Sequence, residues 1–522
     1  MEKLRGLQPE KVFEYFELLS SVPHGSGNTD AISSLCVEFA KEHGFRYVRD
    51  ELNNVIIYAP ASKGCENADT VILQGHMDMV CAKAAGYDID MLKEAIDVYY
   101  EGDFVKARNT SLGGDDGIAV AMIMAVLDSD EIRHPAIEAV FTVDEEIGLL
   151  GAEGLDGNLL SGKNLINIDS EEEGVFTCGC AGGVRVEGVI PVSCGITEED
   201  CELYFMEIGG LKGGHSGCDI EKGRANSNHL AGRMLNAISK KAAIRLISFE
   251  GGHFDNVIAA STKLTVAVKS EDTAIFKSLA DEYDKTFKQE YASTDGGVYV
   301  DVKRVSPDAV KNGDSDCFEK VSCDGIIKDS PTDNNQNKDE TYLESVCGIS
   351  TEDSRTIFSL LSVLPQGVIE MSSDIKGLVQ TSLNLGITRL EKECFRFSFC
   401  VRSSVASQKK ALVEVVTELT ERYGGTVSLQ GDYPGWTFNR NSKLREICRK
   451  SFVELFGKEP VITATHGGLE CGLFTEKVKD IDCISIGPDL YEIHSERERL
   501  SISSTERLWR LLVKVLENLC EN

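Results

Sequence analysis

The chain has 522 residues, more than a single hydrophobic core usually serves, so two or three domains are expected. Hydrophobic residues make up 42% and charged residues 27%, a globular mixture that can bury a sizeable core and excludes a disordered chain. Against 54 Lys and Arg stand 85 Asp and Glu, and a net charge of −31 repels nucleic acid and anionic membrane surfaces, so neither is expected as a partner.

The opening residues MEKLRGLQPEK hold no apolar core of a secretory signal, and no stretch reaches the roughly 18 consecutive apolar residues of a membrane span. Residues 10–20 place Val12, Phe13, Phe16 and Leu19 at helical spacing. Short apolar runs at 55–58, 71–73, 139–143 and 165–168 predict strands. Between them 117–127 (GIAVAMIMAVL) is apolar almost all round and predicts a buried helix. Strands alternating with helices imply an α/β domain with a mostly parallel sheet flanked by helices.

Near residue 184 the pattern changes. Strand-like segments at 184–189, 203–208, 263–268 and 395–401 are interleaved with helices at 226–243 and 356–364, which predicts an inserted α+β domain. A helix at 442–456, a strand at 483–486 and a helix at 505–519 then return the chain to the first domain. The expected organisation is residues 1–183 and 432–522 as one catalytic domain, with 184–431 as a lid. Residues 305–345 are polar, poor in large apolar side chains, and read as a surface loop.

The 17 cysteines are odd in number and scattered, several (Cys36, Cys400, Cys448) inside apolar runs. That pattern suits buried free thiols in a reducing, cytoplasmic compartment better than a disulfide framework. Cys178 and Cys180 form a CxC, but no second pair at zinc spacing accompanies them, so no structural zinc is expected there.

The chemistry-bearing residues fall just after the predicted strands. VILQGHMDM sets His76 and Asp78 after one, FTVDEEIG sets Glu145 and Glu146 after another, LINIDSEEEG sets Asp169 after a third, and CISIGPDLYEIH sets His494 beyond a fourth. In open α/β sheets the carboxyl ends of the strands line the binding crevice. Asp115 joins them through the loop NTSLGGDDG, which runs into the buried helix. Carboxylates repeated at the ends of apolar strands repel one another unless a cation sits among them, and the His and carboxylate mixture suits Zn²⁺, with Mn²⁺ or Co²⁺ as substitutes. His466 and His24 follow no strand end as cleanly.

These segments resemble the M20 family of metallopeptidases, and within it the aminoacyl-histidine (Xaa-His, or cytosolic nonspecific) dipeptidase branch. The resemblance rests on GHMDMV at 75–80, LGGDDGIAVA at 112–121, TVDEEIGLLGA at 142–152 and NIDSEEEG at 167–174. CAGG at 180–183, GGHSG at 213–217 and HGGLECGLF at 466–474 carry it further along the chain. It implies two divalent metal ions about 3.5 Å apart. Asp115 would bridge them, His76 and Asp169 would complete one, and Glu146 and His494 the other. Glu145 would be the general base, and Asp78 the carboxylate that orients the His76 imidazole. Two departures stand out. Many members carry Lys where this chain has Gly117, and the usual HSPDE around the last histidine reads HSERE, with Glu496 and Arg497 for Pro and Asp.

The resemblance also makes His215 an oxyanion or substrate contact that closes over the site, in its own subunit or in a neighbour's if the chain is a homodimer. Asn256 and Arg402 occupy positions similar to substrate-binding residues, and Arg402 would clamp a C-terminal carboxylate through a bidentate fork. The implied activity is hydrolysis of dipeptides. Deacylation of N-acyl amino acids on the same centre is the alternative enzyme class, and a non-catalytic binding protein the third.

Overall fold

The protein is described by a computed structural model over residues 3–196, 200–306 and 347–521. The polar stretch at 305–345 therefore lies outside the described residues except for 305 and 306. The chain forms two compact units, one of Met1–Gly182, Ser373–Leu378 and Tyr433–Asn522, the other of Gly183–Ser372 and Val379–Asp432. Ser373–Leu378, which the sequence groups with the insertion, belongs to the first unit, where Asp374 pairs with Arg440 Nε at 2.6 Å.

The first unit is built on an eight-stranded mixed sheet. Its order is Arg46–Arg49, Val55–Ala59, Ile137–Thr142, Val71–His76, Asn164–Asn167, Asp482–Ser485, Val175–Cys180, Val461–Thr465. Val71–His76 runs parallel to both its neighbours, and Asp482–Ser485 continues the parallel set, while the first two strands are antiparallel additions. Every residue of Val71–His76 and Ile137–Thr142 is buried, which is why these strands show apolar runs at 71–73 and 139–141 rather than alternation.

Helix Gly114–Leu127 packs on this sheet, and of its residues only Asp115 escapes full burial. Helix Glu10–Ser20 lies against it through Phe16, whose ring would stand 3.4 Å from a Cβ at Gly117. A side chain at position 117 would therefore point onto that ring.

A four-stranded sheet joins Leu490–Tyr491, Arg499–Ser501, Phe104–Ala107 and Val98–Glu101 in that order. It ties the hairpin that carries His494 to the strand leading into the loop that carries Asp115.

The second unit is an antiparallel nine-stranded sheet that includes Cys201–Gly209, Thr262–Lys269, Ile244–Gly251, Val379–Leu390 and Cys394–Ser403. Helices Ser227–Ser239 and Thr351–Val363 pack on it around Leu230, Phe249, Phe358, Phe395 and Phe397. The expected helices and strands form within a few residues of their predicted limits. Among the longer strands, Ile244–Gly251, Val379–Leu390 and Thr426–Tyr433 were not anticipated.

The cysteine expectation needs one correction. Cys65 and Cys520 are disulfide-bonded, their Cα atoms brought to 4.9 Å although 455 residues separate them. Among the described residues no helix is long and apolar enough to cross a membrane.

Candidate metal centre

His76 is the last residue of its strand, Glu145 and Glu146 follow Ile137–Thr142, and Asp169 follows Asn164–Asn167. These three strands are parallel neighbours, so their carboxyl ends open side by side. The turn after Ile137–Thr142 passes through Asp144 at φ 54°, and His494 itself adopts φ 59° in its hairpin. Such left-handed backbone is costly away from glycine and is tolerated where the fold over-determines a site.

At the centre stands Asp115. Its Oδ1 lies 3.1 Å from His76 Nε2 and its Oδ2 lies 3.2 Å from His494 Nε2, one oxygen to each imidazole. His494 Nε2 is also 2.9 Å from Glu146 Oε1, and His76 Nε2 is 3.7 Å from Asp169 Oδ1. Three sets of potential ligand atoms fall within 4.8 Å of one another: His76, Asp116 and Asp169; His76, Glu145 and Glu146; Asp115, Glu146 and His494. His466, contrary to expectation, directly follows a strand, Val461–Thr465, yet joins none of these sets.

Asp78 holds the frame around His76. The imidazole Nδ1 is 2.9 Å from the Asp78 carbonyl oxygen, so it donates there and turns Nε2 toward Asp115. The Asp78 carboxylate accepts from Glu145 N at 3.1 Å, Glu146 N at 3.4 Å and Ser26 Oγ at 2.8 Å. The residue thus orients the first histidine through its backbone carbonyl, its carboxylate standing 3.6 Å from Nδ1, and holds the backbone of both glutamates through that carboxylate.

The electrostatics are those of too many carboxylates in too little water. Burial pushes the Glu145 carboxyl up to about 8, partly offset by His76 and reinforced by Glu470, Glu146 and Asp115. Burial and the neighbouring Asp116 likewise raise Asp169 well above the usual range. Hydrogen bonds to Asp115 and Glu146 raise His494 to about 10. Burial opposes charge on His76, but its bonds to Asp115 and Asp78 override that and raise it. Burial works against the Asp115 carboxylate too, and the His494 and His76 bonds hold it ionised at low pH. Two imidazole nitrogens facing mutually repelling carboxylates are a donor set that divalent cations fit.

Three buried acids beside this set were not singled out in the sequence. Asp116 accepts from His76 N at 3.2 Å. Glu470 accepts from Gln74 and Thr142 behind the strand ends. Glu498 accepts from the backbone of residues 112–115. For Glu498 a signal existed, since it stands four residues after His494 in the segment HSERE.

The expected substrate-binding residues lie in the second unit. Gly214–His215 pairs antiparallel with Val257–Ile258, and Ser216 N donates to the Asn256 carbonyl at 2.8 Å, so His215 and Asn256 share one small ribbon. His215 Nδ1 accepts from Gly217 N and Cys218 N, both at 3.2 Å, which leaves Nε2–H as the ring's donor. Burial and the positive charge of Arg402 lower its pKa and keep the ring neutral. Arg402 is buried near the end of strand Cys394–Ser403, opposite Ser382. The Asn256 side chain is exposed.

Comparison with known proteins bears on all of this. The pattern of peptidase family M20/M25/M40 matches residues 72–518. The cytosol non-specific dipeptidase of Escherichia coli (strain K12) is 33% identical over 519 residues, covering 99% of each chain. The aminoacylhistidine dipeptidase of Vibrio alginolyticus superposes with a TM-score of 0.87 at 32% identity, again covering 99% of both chains. The aminopeptidase PepT of Bacillus cereus shares the fold at 15% identity and a TM-score of 0.52, over 98% of this chain and 99% of its own.

Proposed function

The chain belongs to peptidase family M20/M25/M40, and from that premise we propose that it is a metal-dependent dipeptidase, with Xaa-His dipeptides among its substrates. The observation that carries the reading is the Asp115 carboxylate set between two imidazoles, 3.1 Å from one and 3.2 Å from the other. His76 and Asp169 complete one half of the centre, and Glu146 and His494 the other. Two divalent cations held there, zinc foremost with cobalt or manganese as substitutes, would supply a water acidified toward neutrality and a polarised scissile carbonyl.

The protein's own groups do the rest. Glu145 takes the proton from the attacking water and passes it to the leaving amine, the work of a positioned carboxylate beside the attacking water. Asp78 fixes the His76 tautomer and the Glu145 backbone, so base and ligand share one anchor. His215 donates Nε2–H to the oxyanion, and Arg402 takes the substrate's terminal carboxylate with its planar fork. Asn256 contributes a further polar contact to the substrate.

The family relationship supports the reaction class, and the name of the Escherichia coli relative supports a cytosolic setting. So do the free cysteines that make up all but one pair among the described residues, Cys65–Cys520 being the exception. The test is metal analysis of the purified protein together with a dipeptide panel run with and without chelator. Chelator-sensitive release of free amino acids from dipeptides is expected. Release from N-acetyl amino acids alone would move the assignment to deacylation.

A further inference from the structure

Glu498 is 4% exposed, and its carboxylate gathers four consecutive backbone N–H groups. Oε2 accepts from Leu112 N at 2.8 Å and Gly113 N at 3.2 Å, and Oε1 accepts from Gly114 N at 2.8 Å and Asp115 N at 3.4 Å. These donors lie in the turn that leads into the buried helix, where Asp115 and Asp116 have non-helical backbone and the N–H groups have no helical partner. No side chain of the turn itself takes these donors, and the oxygens that do come from 384 residues away.

The loop is shaped to receive that carboxylate. Gly113 turns through φ 69°, and a Cβ at Gly114 would stand 2.7 Å from Leu490 Cδ2 and 3.3 Å from Glu498 Oε1. A side chain at Gly114 would crowd the acid, and one at Gly113 would run into Met79 Sδ at 2.8 Å. The next residue is Asp115, whose two oxygens face the two histidines.

The other end of the contact matters as much. Glu498 lies four residues after His494 and immediately before strand Arg499–Ser501, which pairs with Phe104–Ala107. One carboxylate therefore fixes the backbone of the Asp115 loop against the hairpin of His494, and these two side chains meet at 3.2 Å.

We propose that Glu498 is the positioning residue of the metal centre: by clamping the backbone of residues 112–115 it sets Asp115 and His494 jointly in the geometry that binds cations. This rests on the reading of the centre as a metal site. It assigns Glu498 no contact with substrate and no share in proton transfer. Glutamine at this position would keep the shape but turn an amide N–H₂ toward two of the four backbone donors. The loop would then shift, and Asp115 with it.

Glu138 provides an internal control. It is equally buried at 4% exposure and also gathers backbone donors, Ser161 N and Gly162 N at 3.0 Å each, but it serves a turn that carries no proposed ligand. A carboxylate that only supports the fold should behave like Glu138.

The test is zinc binding to the full chain after chelator treatment, measured by competition with a chelating dye, alongside thermal unfolding. Glu498→Gln is expected to lose roughly tenfold or more in zinc affinity, the usual cost of disturbing the groups that orient ligands. Glu138→Gln is expected to keep wild-type affinity even if it melts earlier. Glu498→Asp, which keeps the charge but shortens the reach, should fall between and remains readable if the glutamine variant does not fold. Wild-type zinc affinity in the Glu498 variants overturns the proposal, and so does an equal loss in Glu138→Gln. A wild-type protein that takes up no zinc, cobalt or manganese instead overturns the metal reading on which the proposal stands.

Discussion

Gln74 donates its side-chain amide to the carboxyl of Glu470 at 2.5 Å, joining strand Val71–His76 to the helix Glu470–Lys477 behind the candidate metal centre. The Thr142 hydroxyl donates to the same oxygen at 2.8 Å, and Asn167 donates to the Gln74 oxygen at 2.7 Å. The three strands that deliver His76, Glu145 and Asp169 are thus cross-linked by side chains just before their ends. Glu470 is fully buried, and burial lifts its carboxyl to about 7.

That shift makes a prediction with a definite sign. The carboxyl titrates near 4.5 when free and near 7 in the fold. As pH rises between these values the unfolded chain gives up the proton and the folded one retains it, so stability falls across that window. Glu470→Gln keeps the shape and cannot ionise. In chelator-treated protein its stability relative to wild type should be lowest near pH 4.5 and climb toward pH 7.5, by up to about 3 kcal/mol. Denaturant unfolding at the two pH values checks this, and a constant difference would remove Glu470 as the titrating group.

Glu145 carries the proton in the proposed reaction without being among the five proposed ligands. Glu145→Gln should therefore bind the wild-type complement of zinc while kcat falls by about 10²–10⁴-fold, the usual contribution of a general base. Metal content and turnover must be measured on the same preparation. Retained turnover would place the base elsewhere, and lost metal would make Glu145 a ligand.

Arg402 is proposed to recognise a terminal carboxylate, so its loss should be felt by substrates that have one. Arg402→Lys keeps the charge but not the planar fork, and a bidentate site does not tolerate that exchange. The expected result is a rise in KM for dipeptides of roughly tenfold or more, the loss of one charge-assisted pair. Hydrolysis of the corresponding dipeptide amides, which offer no carboxylate to the fork, should scarcely change. A uniform loss on both substrate types would show that Arg402 only supports its strand.

Of the proposed ligands, His76, Glu146 and Asp169 were legible because each stands at or within a few positions of the end of its own apolar strand, and buried parallel strands advertise themselves as apolar runs. What the sequence concealed lies in contacts between distant segments. Glu470 meets Gln74 across 396 positions, Glu498 meets Leu112 across 386, and Cys65 meets Cys520 across 455. Strand Val379–Leu390 was hidden for a different reason. It buries Thr381, Ser382, Asn384 and Thr388, of which Thr381 bonds Ser403, Asn384 the Val257 carbonyl and Thr388 the Asn228 side-chain oxygen, so the apolar signal of a buried strand is broken.

His229 offers a titration well separated in sequence from the proposed ligands, in the first turn of helix Ser227–Ser239. Burial, with the charge of Arg233 added, holds its pKa down to about 4 from 6.5, against a weaker pull from Glu290. A protonated imidazole at a helix N-terminus also opposes the helix dipole, so the folded state keeps the ring neutral. The unfolded chain takes up a proton as pH falls through 6.5 and the folded chain does not until about 4. Stability from this residue is complete above pH 6.5 and is lost as pH falls toward 4. His229→Gln removes the titration, so chelator-treated wild type should lose on the order of 2 kcal/mol more than the variant between pH 7 and pH 4.5. Unfolding curves at those two pH values decide it. Parallel losses in the two proteins would mean that another group, and not His229, governs the acid limb of the second unit.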